Sequence, residues 1–316
     1  MKKNFTVLFF LISVVIFSQK KYAKEISIIT ENDLYTSTYY DRYYTNGLFL
    51  SYRYVAKEGH KNLEKKIFEF TVGHKMYTPF KAILVNIENH DRPFAAYFYG
   101  SFGIQKVFKK NNALKTTFQI GVIGPSAFGK NLQDFVHNIY GFKEAVGWKY
   151  QIKNAIGLNF NVAYTQKLFK KTEKFFDVFW TNRGKIGTID TNISSGFLTR
   201  IGFKPLQKLA NSIAFKTNIN NTKTAYFRAV ESFLFIKPIL KYTLYDATLQ
   251  GSFLNTGSLV TNTLKPFVFN LQVGYQFTVN RFNFAYIYNY HSNKSNNLNA
   301  TNGHTYGTIG INYLLK

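Results

Sequence analysis

Glu31-Asn32-Asp33 and, eight residues on, Asp41-Arg42-Tyr43-Tyr44-Thr45-Asn46-Gly47 bring carboxylate, amide and hydroxyl oxygens together between two alternating segments. Oxygen donors of this kind are hard ligands, suited to Ca²⁺ rather than to zinc or copper. A second grouping follows a hundred residues later, where Asn131-Leu132-Gln133-Asp134-Phe135-Val136-His137-Asn138-Ile139-Tyr140 predicts a short helix between Gly129 and Gly141. Gln133 and His137 are four apart and share a helical face, with Asp134 close to it. A neutral imidazole takes a proton from water, and a divalent cation polarises an ester carbonyl, so the two groupings together suit hydrolysis. Each also has a plainer reading. Asn and Asp after a strand commonly form an Asx turn, and the helix is equally an amphipathic lid packed by Leu132, Val136 and Ile139.

The elements that must position these groups alternate with period two. After Gly47, Leu48, Leu50, Tyr52 and Tyr54 fall on one face and Phe49, Ser51, Arg53 and Val55 on the other. Segments of this kind recur at about 24–31, 44–56, 66–77, 93–108, 113–124, 147–167, 175–189, 192–204, 223–246, 264–279, 281–291 and 304–315, with Asp190-Thr191-Asn192 and Asn280 as tight turns. Residues 211–220 are a candidate for one further strand. Twelve is an even count, as a single-chain outer-membrane barrel requires. In the last segment Ile309, Ile311, Tyr313 and Leu315 share a face, as a closing strand against lipid would.

Composition points the same way. Aromatic residues make up 18% of the chain, yet mean hydropathy is only −0.17, a pairing that suits a barrel with lipid-facing aromatics alternating with a polar lumen. The rival architecture is a large soluble β-sandwich or solenoid. Lys2 and Lys3 ahead of the apolar run Phe5 to Phe17, then Ser18-Gln19, read as a signal peptide over 1–19, with 20–316 as one transmembrane antiparallel up-and-down β-barrel. An uncleaved anchor is the alternative. Cysteine is absent, so the exported chain is held by its sheet rather than by disulfides. A formal net charge of +24 asks for an anionic partner, and the export signal favours lipopolysaccharide over nucleic acid.

With a periplasmic N-terminus, the first, third and fifth connections share one end of the barrel. They hold Asn32, Asp33, Asp41, Arg42 and Thr45, then Gly73 to Pro79 and Asp91-Arg92-Pro93, then Gly121 to Trp148, whereas the opposite connections are mostly lysine-rich turns. Other chemistries fit less well. There is no G-x-S-x-G elbow and no H-E-x-x-H helix. His291-Ser292 suggests a serine-type outer-membrane phospholipase, but neighbours on a strand point to opposite faces. A porin or small adhesin, with the polar residues merely lining the lumen, is the non-enzymatic alternative.

Asn32-Asp33, Asp41-Arg42-Tyr43-Tyr44-Thr45-Asn46-Gly47, Met76-Tyr77-Thr78-Pro79, Asp91-Arg92-Pro93, Gly124-Pro125, Gln133 to His137 and Gly147-Trp148, in that order, resemble the LpxR family of lipid A 3'-O-deacylases. The likeness spans about residues 24–151. It implies a twelve-stranded outer-membrane barrel, expected as a monomer, that uses calcium to remove the 3'-linked acyloxyacyl chain of lipid A. It also implies that His137 is the base that activates water, with Gln133 beside it, and that Asp33, Asn32 and Thr45 lie in the calcium and oxyanion region. Lys75 is the candidate for a basic residue holding substrate, with Arg92 open to a structural reading. Ala96 departs from the family, which often has glycine there.

Overall fold

In a computed structural model of the chain, twelve antiparallel strands close into one barrel, each paired with its sequence neighbours and the first with the last. The structure describes residues 22–36, 42–56, 62–81, 85–141, 144–169, 173–221, 224 and 230–316, so the leader and Asp41 lie outside the described residues. The strands are β1 (Lys24–Asn32), β2 (Tyr43–Val55), β3 (Leu63–Thr78), β4 (Ala95–Phe108), β5 (Asn112–Ile123) and β6 (Ala155–Lys167). They continue as β7 (Phe176–Gly187), β8 (Asp190–Gly202), β9 (Ser232–Asp246), β10 (Phe267–Val279), β11 (Phe282–His291) and β12 (His304–Leu315). Among the described residues, no helix is long and apolar enough to cross a membrane. The strands themselves have the length for it, since about 9–11 tilted residues span a bilayer.

Alternation sorts the side chains into two environments. Ile26 and Ile28 on β1, Leu48 and Leu50 on β2, Phe70 and Val72 on β3 are exposed on the outside, as are their counterparts around the wall. At the end that carries the termini, rings join across strands: Tyr54 stacks on Phe68 at 5.2 Å, Phe277 on Phe284 at 5.2 Å, and Phe282 meets Tyr313 at 4.8 Å. This is the girdle that the aromatic content anticipates. The interior is polar and paired. Arg53 Nη1 donates to Glu25 Oε1 at 2.6 Å and its Nε to Glu69, while Lys115 Nζ reaches Glu69 at 2.5 Å.

Three expected boundaries move, each for a physical reason. β6 begins at Ala155 rather than 147, because Val146–Tyr150 coils into a 3-10 turn that delivers Trp148 to a buried cluster; the apolar alternation of Trp148, Tyr150 and Ile152 only resembles a strand. Asp190 opens β8 instead of forming the turn, which is Thr188-Ile189. β9 begins at Ser232, and residues 211–220 form no strand. That stretch belongs to a plug inside the base. Leu209, Ile213 and Phe215 pack with Phe179, Leu198 and Phe233, and Lys65 Nζ binds Asn211 Oδ1, Thr217 O, Ile219 O and Asn220 Oδ1 at 3.1, 2.8, 3.0 and 2.7 Å. The Asn280-Arg281 turn is as expected, with Asn280 at φ 52° in the left-handed region that Asn tolerates.

Candidate active site

Helix α1 (Gly129–Tyr140) forms in the β5–β6 connection, entered from Phe128 and closed by Gly141 at φ 71°, a left-handed cap that glycine adopts without strain. Its burial is inverted relative to an ordinary amphipathic helix. Gly129, Gln133 and His137, spaced by four, are the buried stripe, while Phe135 is 63% exposed. Leu132 packs at the edge of the buried cluster, so the lid reading holds for it in part, and the Ile139 side chain lies outside the described residues.

The surface under α1 is the outer face of the wall. Outward-pointing Met76 and Ala96 lie side by side on β3 and β4 and join Phe94, Ala127, Ala145 and Trp148 in one cluster. Close approach is built in: a Cβ on Gly129 would lie 2.4 Å from the Trp148 ring and 2.5 Å from Ala96 Cβ. Trp148 Nε1 donates to Gln133 Oε1 at 2.5 Å, which turns the amide nitrogen of Gln133 towards His137 Nε2 at 3.3 Å. The amide N–H therefore meets the imidazole lone pair in a long hydrogen bond.

Asn32, Asp33 and Thr45 stand at the same rim. Asn32 continues the outward row of Ile26, Ile28 and Thr30 and pairs with Asn46 of β2. Its Oδ1 accepts from Leu34 N at 2.7 Å, the Asx turn of the plainer reading, leaving one lone pair on that oxygen. Asp33 is buried, and its Oδ2 accepts from Arg42 N at 2.7 Å. Thr45 is the extra residue where β2 shifts register against β3 between Tyr44 and Asn46, and its hydroxyl bonds Thr78 Oγ1 at 2.7 Å. Such a bulge re-aims a side chain; here it turns Thr45 outward beside Asn46 and Thr78 while Tyr44 points into the lumen.

Lys75 is not brought to this face. One residue from outward-facing His74, it points into the lumen, with its ammonium 5.7 Å from the Phe49 ring. His74, which carries no role in the sequence-based set, lies under the loop before α1 and bonds Ala127 O through Nε2 at 2.7 Å. Strict alternation from Leu48 across to β3 is the signal that would have found it. Arg92 is structural: buried, it donates to Thr248 O at 2.9 Å and stacks 4.9 Å from the Tyr77 ring. The serine-type alternative loses its pair, because Ser292 Oγ accepts from Phe269 N at 2.9 Å while His291 sits against His304 at 5.2 Å.

The donor set at the rim is all hard oxygen, with Asp33 as the carboxylate, and it fits calcium chemically. Among the described residues no three His, Cys, Asp or Glu side chains gather as a metal cluster. Any cation held there would rely on amide, hydroxyl and backbone oxygens besides Asp33.

No curated protein sequence matches the chain. Among solved structures, LpxR from Salmonella typhimurium superimposes with a TM-score of 0.74 at 17% identity, covering 92% of this chain and 100% of that one. The translocator domain of the autotransporter NalP from Neisseria meningitidis reaches a TM-score of 0.44 at 12% identity, covering 92% and 88%. The family described as outer membrane protein LpxR matches residues 5–315. A closed twelve-stranded barrel with a lipid-facing apolar band, matched over nearly its whole length, belongs to the LpxR family of outer-membrane proteins.

Proposed function

We propose that this protein is a lipid A 3'-O-deacylase, a calcium-dependent esterase that acts from the outer wall of its barrel. The observation that carries the reading is the buried Trp148–Gln133–His137 chain on the lipid-facing side of the wall, at the rim that also holds Asn32, Asp33 and Thr45. A porin would keep its polar chemistry in the lumen. A base on the outer face instead meets a substrate that stays in the outer leaflet, and lipid A enters sideways without crossing the barrel.

His137 Nε2 takes a proton from water, and the water oxygen attacks the ester carbonyl. When the tetrahedral intermediate collapses, the sugar oxygen leaves with the proton from the imidazolium, giving a free acyloxyacyl acid and a sugar hydroxyl. Gln133 fixes the ring through its amide, and the Thr45 hydroxyl is a donor for the developing oxyanion. Calcium, held by Asp33, Asn32 and Thr45 oxygens, would supply charge stabilisation at that oxyanion. With one carboxylate in the set, its affinity belongs in the weak range of about 10⁻⁴ to 10⁻³ M.

Mass spectrometry of lipid A from a host of known acylation tests the reading. Expression of the chain is expected to remove the 3' acyloxyacyl mass, His137→Ala to abolish the loss, and chelation of calcium in the purified enzyme to stop it reversibly. Unchanged lipid A with the wild-type barrel correctly inserted would overturn the proposal.

A further inference from the structure

Above the plug, on the opposite face of the wall from His137, the lumen holds a polar chamber of about 560 Å³. Seven lysine or arginine side chains line it against four carboxylates. Those carboxylates are already engaged. Glu31 accepts from the Tyr44 hydroxyl, and Glu69 is shared by Arg53 and Lys115. Asp190 lies 3.5 Å from Lys185 and 3.9 Å from Lys241, and Asp246 lies 3.8 Å from Lys294 while accepting from Thr248 N at 3.0 Å.

Two lysines thus share one carboxylate at long range, and Lys75, Arg183 and Lys216 make no ion pair among the described residues. Cations gathered without matching anions in a partly dehydrated space are costly, and the cost shows in the loops that reach into the chamber. Burial, reinforced by Arg53 and Lys115, pushes the Lys216 ammonium down to about 7. Burial likewise lowers Lys294, against the pull of Asp246. Neutral donors such as Gln272 and Asn161 fill the wall between the charges, and Tyr97 and Tyr99 stack on one another 4.9 Å apart.

We propose that this chamber binds a small multivalent phosphate, inorganic or carried on a sugar, between Lys75, Lys185, Lys241 and Lys294. Ammonium groups bind phosphate as point charges, and hydroxyl and amide donors satisfy its remaining oxygens. The volume is that of an ordinary small-ligand site. The site is independent of the deacylase reading, since none of its residues faces the outer leaflet.

The test uses the full chain in detergent, titrated calorimetrically with inorganic pyrophosphate at low salt without calcium. One saturable site is expected, weakened at least about tenfold in Lys75→Gln/Lys241→Gln and unchanged in Lys109→Gln/Lys110→Gln at an exterior turn. No saturable heat, or equal binding by the Lys75/Lys241 variant, would overturn the proposal, the latter by moving the anion to the outer loops. Should that variant fail to fold, crystals of the wild-type protein soaked in tungstate decide: anomalous density in the chamber supports the site, and density only outside the barrel removes it.

Discussion

Trp148 holds Gln133, and Gln133 faces His137, so the orientation of one imidazole depends on an indole from a separate loop. Trp148→Phe keeps the packing against Phe94, 5.0 Å away, but removes the N–H donor. The expected result is a fall in kcat of about tenfold with KM and thermal unfolding little changed, measured on purified lipid A; an unaffected kcat would show that the amide needs no anchor. Much of this set was legible in the sequence, because Asn32-Asp33, Thr45, Gln133 and His137 combine hard oxygens with a base at helical spacing. The outward face of Thr45 was not, because the bulge there shifts the alternation count by one without leaving a composition signal, whereas those of His74 and Lys75 follow from regular pairing with Leu48 and Gly47.

Helix α1 turns an amide and an imidazole to the wall and Phe135 to the outside, which a helix in water would not do. Two substitutions test that arrangement. Gly129→Val places carbon against the Trp148 ring and Ala96 and should unseat the helix, costing about a hundredfold in activity while the urea midpoint of the barrel stays put. Phe135→Asp should slow hydrolysis of lipid A in vesicles far more than in detergent micelles; equal losses in both would mean that the ring does not meet the acyl layer. The twelve strands were readable from period-two alternation because each has a lipid face and a lumen face. The strand start at 147 and the candidate strand at 211–220 failed for the same reason in reverse: apolar residues there serve a cluster outside the barrel and a plug inside it, and neither use is visible to a local pattern.

At the scale of the whole molecule, the surplus of positive charge is divided between exterior turns and an interior that pairs some of its cations and leaves others in excess of its carboxylates. Arg200, fully buried in the base, holds Asp177 through two bonds of 2.8 and 2.6 Å and reaches Ser212 of the plug at 2.6 Å. Lys65 grips the plug from β3. Lys65→Met leaves backbone carbonyls of Thr217 and Ile219 without that donor and should destabilise the barrel by about 2–4 kcal/mol, read from urea unfolding of the detergent-solubilised protein. The plug's grips are also distant in sequence: Lys65 meets Asn220 across 155 residues, and Asn220 N bonds Tyr22 O at the other end of the chain. Contacts so far apart cannot form until strands from both halves have met. Ile219 of the plug also packs with Tyr22 and with Leu314 of β12, so the plug is a clock as well as a stopper: it records that the seam between β1 and β12 has closed. Lys65→Met should accordingly speed unfolding and leave the refolding rate nearly unchanged.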